Sequence, residues 1–223
     1  GIALSPDENR LYVTEFHTGD LVAVDLKSGT VVDRWHGHSM DNLARHVVLH
    51  PSRPKAYSSH VRSRINVIDG GGSIFPQLTV NDLVPAKGLK RTKSFGMDTF
   101  NGVYVVTNPW EADISHDGKR IYTLYSGTDD MNVSEIVDDD YKEIRLVGSA
   151  IRVGRNPRAV RVAPDNASVY VFDTLDFQVR RLDANTMRVT GTVKVSKPEK
   201  SDAWVRGKIL FSTARPPMSS RMW

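Results

Sequence analysis

The sequence predicts an all-β protein, a β-propeller built from four-stranded antiparallel blades. The first observation is a recurring turn near positions 6, 51, 116 and 164, so that successive copies lie 45, 65 and 48 residues apart. The second is the alternation of apolar positions within the strands, as in Leu21, Ala23 and Asp25 on one face with Val22, Val24 and Leu26 on the other. Repeats of about 40 to 50 residues with several strands each are typical of propeller blades.

Four segments share this pattern, and we name them blades 1 to 4. Each is predicted to contain an apolar strand, the turn, a strand rich in Tyr and Val, a third strand that ends in an Asp, and a fourth strand. The segments are Ile2 to Trp35, His46 to Val80, Ala112 to Val147 and Ala159 to Val195, with third strands ending at Asp25, Asp69, Asp138 and Asp183. A single meander cannot bury both of its faces, so stacked blades are expected. A β-sandwich is the structural alternative.

The blades predict the domain organisation. Residues 1–196 form the propeller portion, with an insertion at about 81–111, and residues 197–223 have a different composition. Because only four blades are visible, we expect either a four-bladed ring or part of a larger one, and we favour the second interpretation. Gly1 to Leu4 already has the pattern of a strand, which predicts that the chain begins within a longer protein or after processing.

Composition narrows the class of partner. Lys and Arg total 30 against 26 Asp and Glu, a formal net charge of +4. This mild excess indicates an ordinary charged surface rather than a nucleic-acid-binding arm. No stretch is apolar for long enough to predict a membrane span. The absence of Cys excludes disulfides, thiolate metal sites, a Cys nucleophile and covalent haem attachment within this sequence.

Four histidines are predicted to lie at one end of the blades. In a meander, the loop between the second and third strands and the connection to the next blade share one end, which we call the loop end. His17, His36, His38 and His60 are all predicted there, as candidate binding residues. Neutral imidazoles that converge in this way bind zinc or copper, but a lone His-x-His is weak evidence, so no metal site is assigned.

The predicted insertion is basic. Lys87, Lys90, Arg91 and Lys93 lie among Pro, Gly and apolar residues. Long connections of this kind are often functional, which favours a docking surface for an acidic or redox partner. A loop that simply covers the edge of the ring explains the same pattern equally well.

Two acidic clusters, Asp129–Asp130 and Asp138–Asp140, suggest calcium at first sight. They flank one predicted strand of about six residues. At roughly 3.3 Å for each residue, the two clusters are too far apart to share an ion. Each is therefore predicted to lie in a solvated turn. Because the sequence has no G-x-S-x-G elbow, H-E-x-x-H motif or phosphate-binding loop, no catalytic residue is assigned.

The second strand of each blade carries a family resemblance. It reads Leu11-Tyr12-Val13-Thr14 in blade 1, with drifted copies starting at Tyr57, Tyr122 and Tyr170. This pattern resembles the YVTN-type β-propeller family over nearly the whole chain. The resemblance implies an architecture and no single activity, because the family is defined by its fold.

The C-terminal region resembles a different class of domain. Arg206 to Phe211 is similar to the opening of a cytochrome c-type domain. Phe211 to Trp223 and the blade 3 segment Ser126 to Val133 resemble di-haem cytochrome c peroxidase-like bacterial proteins that carry a propeller ahead of the haem domain. An ordinary flexible terminus is the alternative for the last residues.

These resemblances imply a function. They imply a non-catalytic binding or docking module of a periplasmic or envelope redox protein, with no cofactor in this chain and haem c in a domain that follows it. The implied partner is that haem domain or an electron-transfer protein.

Two other functions stay open. One is a propeller enzyme with a metal in a depression at the loop end, lactonase-like or quinoprotein-like. The other is an envelope or surface-layer interaction protein. In each case, unpaired sheet edges make pairing between copies an additional expectation.

Overall fold

A computed structural model describes residues 1–64, 74–84, 92–97, 106–137, 143–198 and 200–215. The chain divides into two compact units, Gly1–Met97 and Asp98–Trp223, which we call unit 1 and unit 2. Within the described ranges there are seventeen β-strands and one α-helix.

Unit 1 consists of two antiparallel meanders. Blade 1 contains β1 (Ile2–Leu4), β2 (Arg10–Thr14), β3 (Leu21–Asp25) and β4 (Thr30–Trp35). Blade 2 contains β5 (Asp41–Leu49), β6 (Lys55–Ser63), β7 (Ile74–Asp82) and β8 (Thr92–Gly96). In both sheets each strand pairs with the next one in sequence, as the repeat predicts.

Unit 2 repeats the pattern. Blade 3 contains β9 (Pro109–Ile114), β10 (Arg120–Tyr125), β11 (Asp130–Ile136) and a split outer strand, β12 (Ile144–Leu146) and β13 (Ile151–Arg152), both pieces pairing with β11. Blade 4 contains β14 (Pro157–Val162), β15 (Ser168–Asp173), β16 (Gln178–Asp183) and β17 (Val189–Lys194). The four-stranded meander blades predicted from the sequence are confirmed.

The prediction for blade 2 is wrong in its second half. Its third strand is β7, which contains Val80 and begins after Asp69, and its fourth strand is β8. The insertion predicted at about 81–111 is therefore not one excursion, because residues within it belong to β7, β8 and β9. The physical reason is that β6 and β7 form a longer hairpin, paired from Ser63 and Ile74 to Lys55 and Asp82, which displaces the later strands along the sequence.

Blades 1 and 2 pack through a shared core. Tyr12, Leu21 and Trp35 of blade 1 are buried in one cluster with Val47 and Ala56 of blade 2. The indole Nε1 of Trp35 donates a 2.8 Å hydrogen bond to the Asp82 carbonyl. The alternating residues of blade 1 thus become buried only because a second blade covers them.

Blades 3 and 4 pack in the same way. Tyr122 and Leu124 of blade 3 lie in one buried cluster with Val160 and Val169 of blade 4. The equivalent tyrosine of blade 4, Tyr170, is 39% exposed. Blade 4 is the last blade of its unit, so within unit 2 no following blade covers this position.

One helix follows blade 4. Helix α1 (Asp202–Ser212) is preceded by the N-cap Ser201, whose hydroxyl accepts a hydrogen bond from Trp204 N–H. None of its residues is buried, and Phe211 is 92% exposed. In the described part of the chain, no helix has both the length and the apolar character needed to span a bilayer.

Candidate functional site

The loop end of unit 2 is organised around the connection between blades 3 and 4. Three successive backbone N–H groups of this connection donate to three different carboxylates, at 2.7 to 2.9 Å: Gly154 to Asp173, Arg155 to Asp176 and Asn156 to Asp129. Asp129 belongs to the β10–β11 loop, and the other two carboxylates belong to blade 4. The connection is therefore fixed from both blades.

Gly154 is required by this arrangement. A Cβ atom at this position would lie 2.1 Å from the carboxylate of Asp173. Because Gly has no Cβ, the backbone approaches the carboxylate closely enough for its N–H to donate the hydrogen bond.

A cleft of about 440 Å³ opens beside the connection. Three arginines line it, Arg152, Arg155 and Arg180, together with Asp129 and Asp176. Arg180 is occupied by carboxylates, because its Nε lies 2.5 Å from Asp173. Arg155 is 3.6 Å from Asp176 with an exposed side chain, and Arg152 is exposed and makes no ion pair within 4 Å with any described residue. Among the described residues, Arg152 is thus unpaired, and Arg155 is held only by the longer, solvent-exposed ion pair with Asp176.

The carboxylates below the cleft are buried. Burial raises the pKa of Asp129, and the hydrogen bond from Asn156 N–H and the nearby Arg215 only partly oppose that effect. Burial likewise raises the pKa of Asp173, against the opposing effect of Arg180. These groups hold a proton at a higher pH than an ordinary Asp does.

Asp130 forms an ion pair with an arginine of the segment that follows α1. The guanidinium of Arg215 forms an ion pair with Asp130 and donates to the carbonyl of Thr128, and Ala214 N–H donates to the Gly127 carbonyl at 2.7 Å. Burial still raises the pKa of Asp130, with Arg215 opposing it. The chain after blade 4 therefore returns to the loop end of blade 3 and is held there by a largely buried ion pair.

The loop end of unit 1 is held by Asp20. Its carboxylate accepts hydrogen bonds from Gly37 N–H at 2.9 Å and from Arg34 at 2.8 Å, and it lies 3.2 Å from Nδ1 of His36. Burial by itself raises the pKa of Asp20, but the hydrogen bonds from Gly37 and Arg34 outweigh it, so the pKa is lowered overall. Asp20 is therefore a charged anchor for the connection between blades 1 and 2.

A buried polar network lies inside blade 2. Nε2 of His60 is 2.6 Å from Oγ1 of Thr79, which is 2.7 Å from Oγ of Ser94. Ser94 accepts a 3.3 Å hydrogen bond from Arg62, which also binds Asp41 through Nε at 2.6 Å. Asp41 lies 3.8 Å from Nδ1 of His60. The network joins all four strands of the blade.

Of the histidines predicted from the sequence, three lie at the loop end of blade 1. His17 is exposed in the β2–β3 loop, with its ring edge-on to Phe16, and His36 and His38 lie exposed in the β4–β5 connection. The prediction that His60 lies in a loop is wrong, because β6 continues to Ser63 and buries it. In the described ranges, no three His, Asp or Glu side chains are grouped in a way that would hold a metal ion.

The basic residues of the predicted insertion are only partly described. Lys93 is half-buried in β8, opposite Val80. Lys87, Lys90 and Arg91 lie outside the described residues, as do Asp138–Asp140. Binding by the histidines and by these basic residues stays a prediction.

Sequence reasoning missed the cleft. It assigned no role to its arginines, and its expectation that Asp129 and Asp130 lie in a solvated turn is wrong, because they are 7% and 3% exposed. The repeat does contain a signal for polar residues at the loop end, although not for the arginines. The third residue after each repeated Tyr pairs across the β-hairpin with a polar residue. The pairs seen in the structure are Glu15 with Asp20, His60 with Gln77, Tyr125 with Asp130 and Asp173 with Gln178.

Comparison with known proteins supports the architecture. No family model matches the chain, and no curated protein matches it. Among solved structures, hydrazine synthase of Kuenenia stuttgartiensis is similar, with 17% identity and a TM-score of 0.69 over 84% of this chain and 58% of that one. Identities this low establish the fold and nothing further.

Two proteins provisionally assigned as 6-phosphogluconolactonases are also similar. The Bacteroides uniformis protein has 13% identity and a TM-score of 0.68, covering 88% of this chain and 55% of that one. The Bacteroides fragilis protein has 17% identity and a TM-score of 0.63, covering 88% and 56%. The chain thus spans somewhat more than half the length of these structures. With its meander blades, it has a β-propeller fold.

Proposed function

We propose that this chain is a non-catalytic propeller module that binds carboxylates of a partner protein at the loop end of unit 2. The observation that carries the proposal is the pair of exposed guanidinium groups, Arg152 and Arg155, at a cleft of about 440 Å³. The backbone of Arg152 pairs with Asp130 in the blade 3 sheet, and the N–H of Arg155 donates to Asp176, so binding costs only the freedom of the two side chains. Arg is well suited to carboxylate recognition because its planar group donates two parallel hydrogen bonds.

The chain itself supplies a precedent for this mode of binding. Arg215 pairs with Asp130 at the same loop end, with Ala214 bound to the backbone of the β10–β11 loop. A segment outside the blades is thus already held there by ion pairing and backbone hydrogen bonds.

We propose further that the partner is a redox protein or domain with covalently attached haem c, in the bacterial periplasm or envelope. The support is the resemblance of Arg206 to Phe211 to the start of a cytochrome c-type domain, and α1 covers this segment. No haem would be held by the chain itself. To test this, the natural gene that encodes the chain is expressed in a host that attaches haem c. The proposal is contradicted if the product shows no haem absorbance and also fails to capture a c-type cytochrome from periplasmic extract.

Carboxylate binding is tested with a fluorescein-labelled hexaglutamate peptide and a hexaglutamine peptide as the uncharged probe. We expect hexaglutamate to bind and its affinity to fall with salt, as surface charge pairs are screened. Substituting Arg152→Gln and Arg155→Gln together should weaken binding at least about tenfold, equivalent to ~1.4 kcal/mol.

The matched control for this experiment is Arg145→Gln. Arg145 is also an exposed arginine of unit 2, but it pairs with Glu135 and does not line the cleft. Equal loss of fluorescence anisotropy in the control and the double variant, or equal binding of both peptides, would refute the proposal.

A second candidate function is hydrolysis of a phosphorylated sugar lactone. The favouring observation is that Asp129, with a raised pKa, lines the same cleft as Arg152 and Arg155. A carboxyl whose pKa is raised, next to two cations that can bind a phosphate, is a candidate general acid for hydrolysis of a lactone ester bond. Acid release from 6-phosphogluconolactone, measured in a pH-stat, would have to exceed the uncatalysed rate and be lost in Asp129→Asn but not in Asp165→Asn, which changes an exposed turn.

A further inference from the structure

A second groove in unit 2 lies between α1 and the loop that joins β15 and β16. Its volume is about 330 Å³. Leu175 and Phe177 of the loop form one apolar wall, and Pro198 and Trp204 contribute from the segment around α1. The indole of Trp204 is 48% exposed, so an aromatic surface faces solvent here. Pockets of this size accept small molecules when apolar walls are combined with a few polar groups.

The polar groups of this groove are cationic. Lys197, Lys200 and Lys208 line it. The ammonium group of Lys208 lies 5.0 Å from the centre of the Trp204 ring, a cation–π contact. None of the three lysines forms an ion pair within 4 Å with a residue in the described ranges. Three ammonium groups that lack an ion pair with the described residues, beside an aromatic ring, favour a ligand that combines negative charge with a flat ring.

We propose that this groove binds a small molecule in which a flat aromatic ring carries or adjoins a phosphate group. The ring packs on Trp204 beside Phe177, and the lysines neutralise the phosphate. Such a group comes either from a free nucleotide or from a phosphorylated tyrosine. This binding is independent of the carboxylate-binding cleft, which is lined by other residues.

The experiment is titration calorimetry of the whole chain with phenyl phosphate, with inorganic phosphate and phenol as the two half-ligands. Phenyl phosphate should bind more tightly than either half. AMP and phosphotyrosine are then compared to identify the source of the ligand. Tighter binding of AMP indicates a nucleotide, and tighter binding of phosphotyrosine indicates a phosphorylated protein. Equal affinity for inorganic phosphate and phenyl phosphate would overturn the proposal, because no ring site would then exist.

Two variants make the test specific. Trp204→Leu should leave thermal stability nearly unchanged, since Trp204 is 48% exposed, while weakening phenyl phosphate binding about tenfold through loss of the ring contact. Lys200→Gln with Lys208→Gln should weaken it more. Lys119→Gln is the control, an exposed lysine of unit 2 that pairs with Asp117 outside the groove. Unchanged affinity in both groove variants, or an equal loss in the control, would refute the site.

Discussion

His60 has a hydrogen-bond partner at each ring nitrogen. At Nδ1 the partner is the carbonyl of Val61, 3.4 Å away, which can only accept, so this nitrogen carries a proton. At Nε2 the partner is the hydroxyl of Thr79, which can donate to a neutral imidazole while Ser94 accepts from Arg62 and donates to Thr79. The network therefore accommodates a neutral imidazole with its proton on Nδ1.

This arrangement predicts a dependence of stability on pH. Burial lowers the pKa of His60 below its ordinary 6.5, and Asp41 opposes the effect without reversing it. The unfolded chain then binds a proton at about pH 6.5 that the folded chain does not, so stability is complete above this pH and is lost as the pH falls below it. Each tenfold difference in proton affinity between the two states costs about 1.4 kcal/mol.

Urea unfolding between pH 7.5 and 5.5 measures this effect. His60→Gln should flatten the pH dependence, since Gln does not titrate in this range. His17→Gln is the control, because His17 is exposed, its ring contacts Phe16 rather than a carboxylate, and its replacement should leave the slope as it is. A slope that persists in full in His60→Gln would show that another group causes it.

At the scale of elements, the connections between blades depend on carboxylates. Gly37 N–H binds Asp20 in unit 1, and Gly154 N–H binds Asp173 in unit 2. In both units a backbone segment between two sheets obtains from side chains the hydrogen bonds that a sheet would otherwise supply. At position 154 the connection passes so close to the carboxylate of Asp173 that only a residue without a Cβ fits.

Gly154→Ala tests this dependence. The new methyl would lie 2.1 Å from atoms of Asp173, and we expect a loss of about 1–3 kcal/mol as the connection shifts away. Gly191→Ala in β17 is the control, because no atom lies within 4 Å of its Cβ position, and it should be neutral or stabilising by about 0.4–1 kcal/mol. Equal midpoints of urea unfolding for the two variants would contradict this account.

At the scale of the whole molecule, the outer strand of blade 4 is an exposed sheet edge. The strand β17 pairs with β16 on one side, and no other described strand pairs with it. Val189, Val193 and Val195 at this edge are 47%, 66% and 53% exposed, with Lys194 between them. An exposed apolar edge strand is a site for pairing with another chain. We therefore propose self-association of the protein through β17.

Sedimentation velocity as a function of concentration tests this association. Val193→Lys should shift the equilibrium toward the monomer, because a charge on an edge strand opposes pairing. Val84→Lys adds the same charge at a valine that is 70% exposed but lies outside any strand, and it should not shift the equilibrium. Identical behaviour of the two variants would exclude β17 as the interface.

The strand pattern of blades 1, 3 and 4 could be predicted because alternation and turn chemistry are local properties. The predicted bounds of blade 1 agree with the structure at both ends, Ile2 and Trp35. The prediction for blade 2 failed because the length of the β6–β7 hairpin depends on pairing between strands, which no short window of sequence contains. The histidines of blade 1 were placed at the correct end by topology alone, whereas the cleft arginines lacked any local signal.

The sequence by itself determined the architecture, four repeats whose two-faced strands are buried only against other blades, together with the residue types available at the loop ends. Tertiary structure alone decided which of those residues meet. Asp129, Gly154 and Asp176 come from different loops, and burial of the carboxylates, which changes their pKa, arises only when neighbouring blades exclude water from them. Strand formation follows from neighbours along the chain, but a binding site follows from neighbours in space.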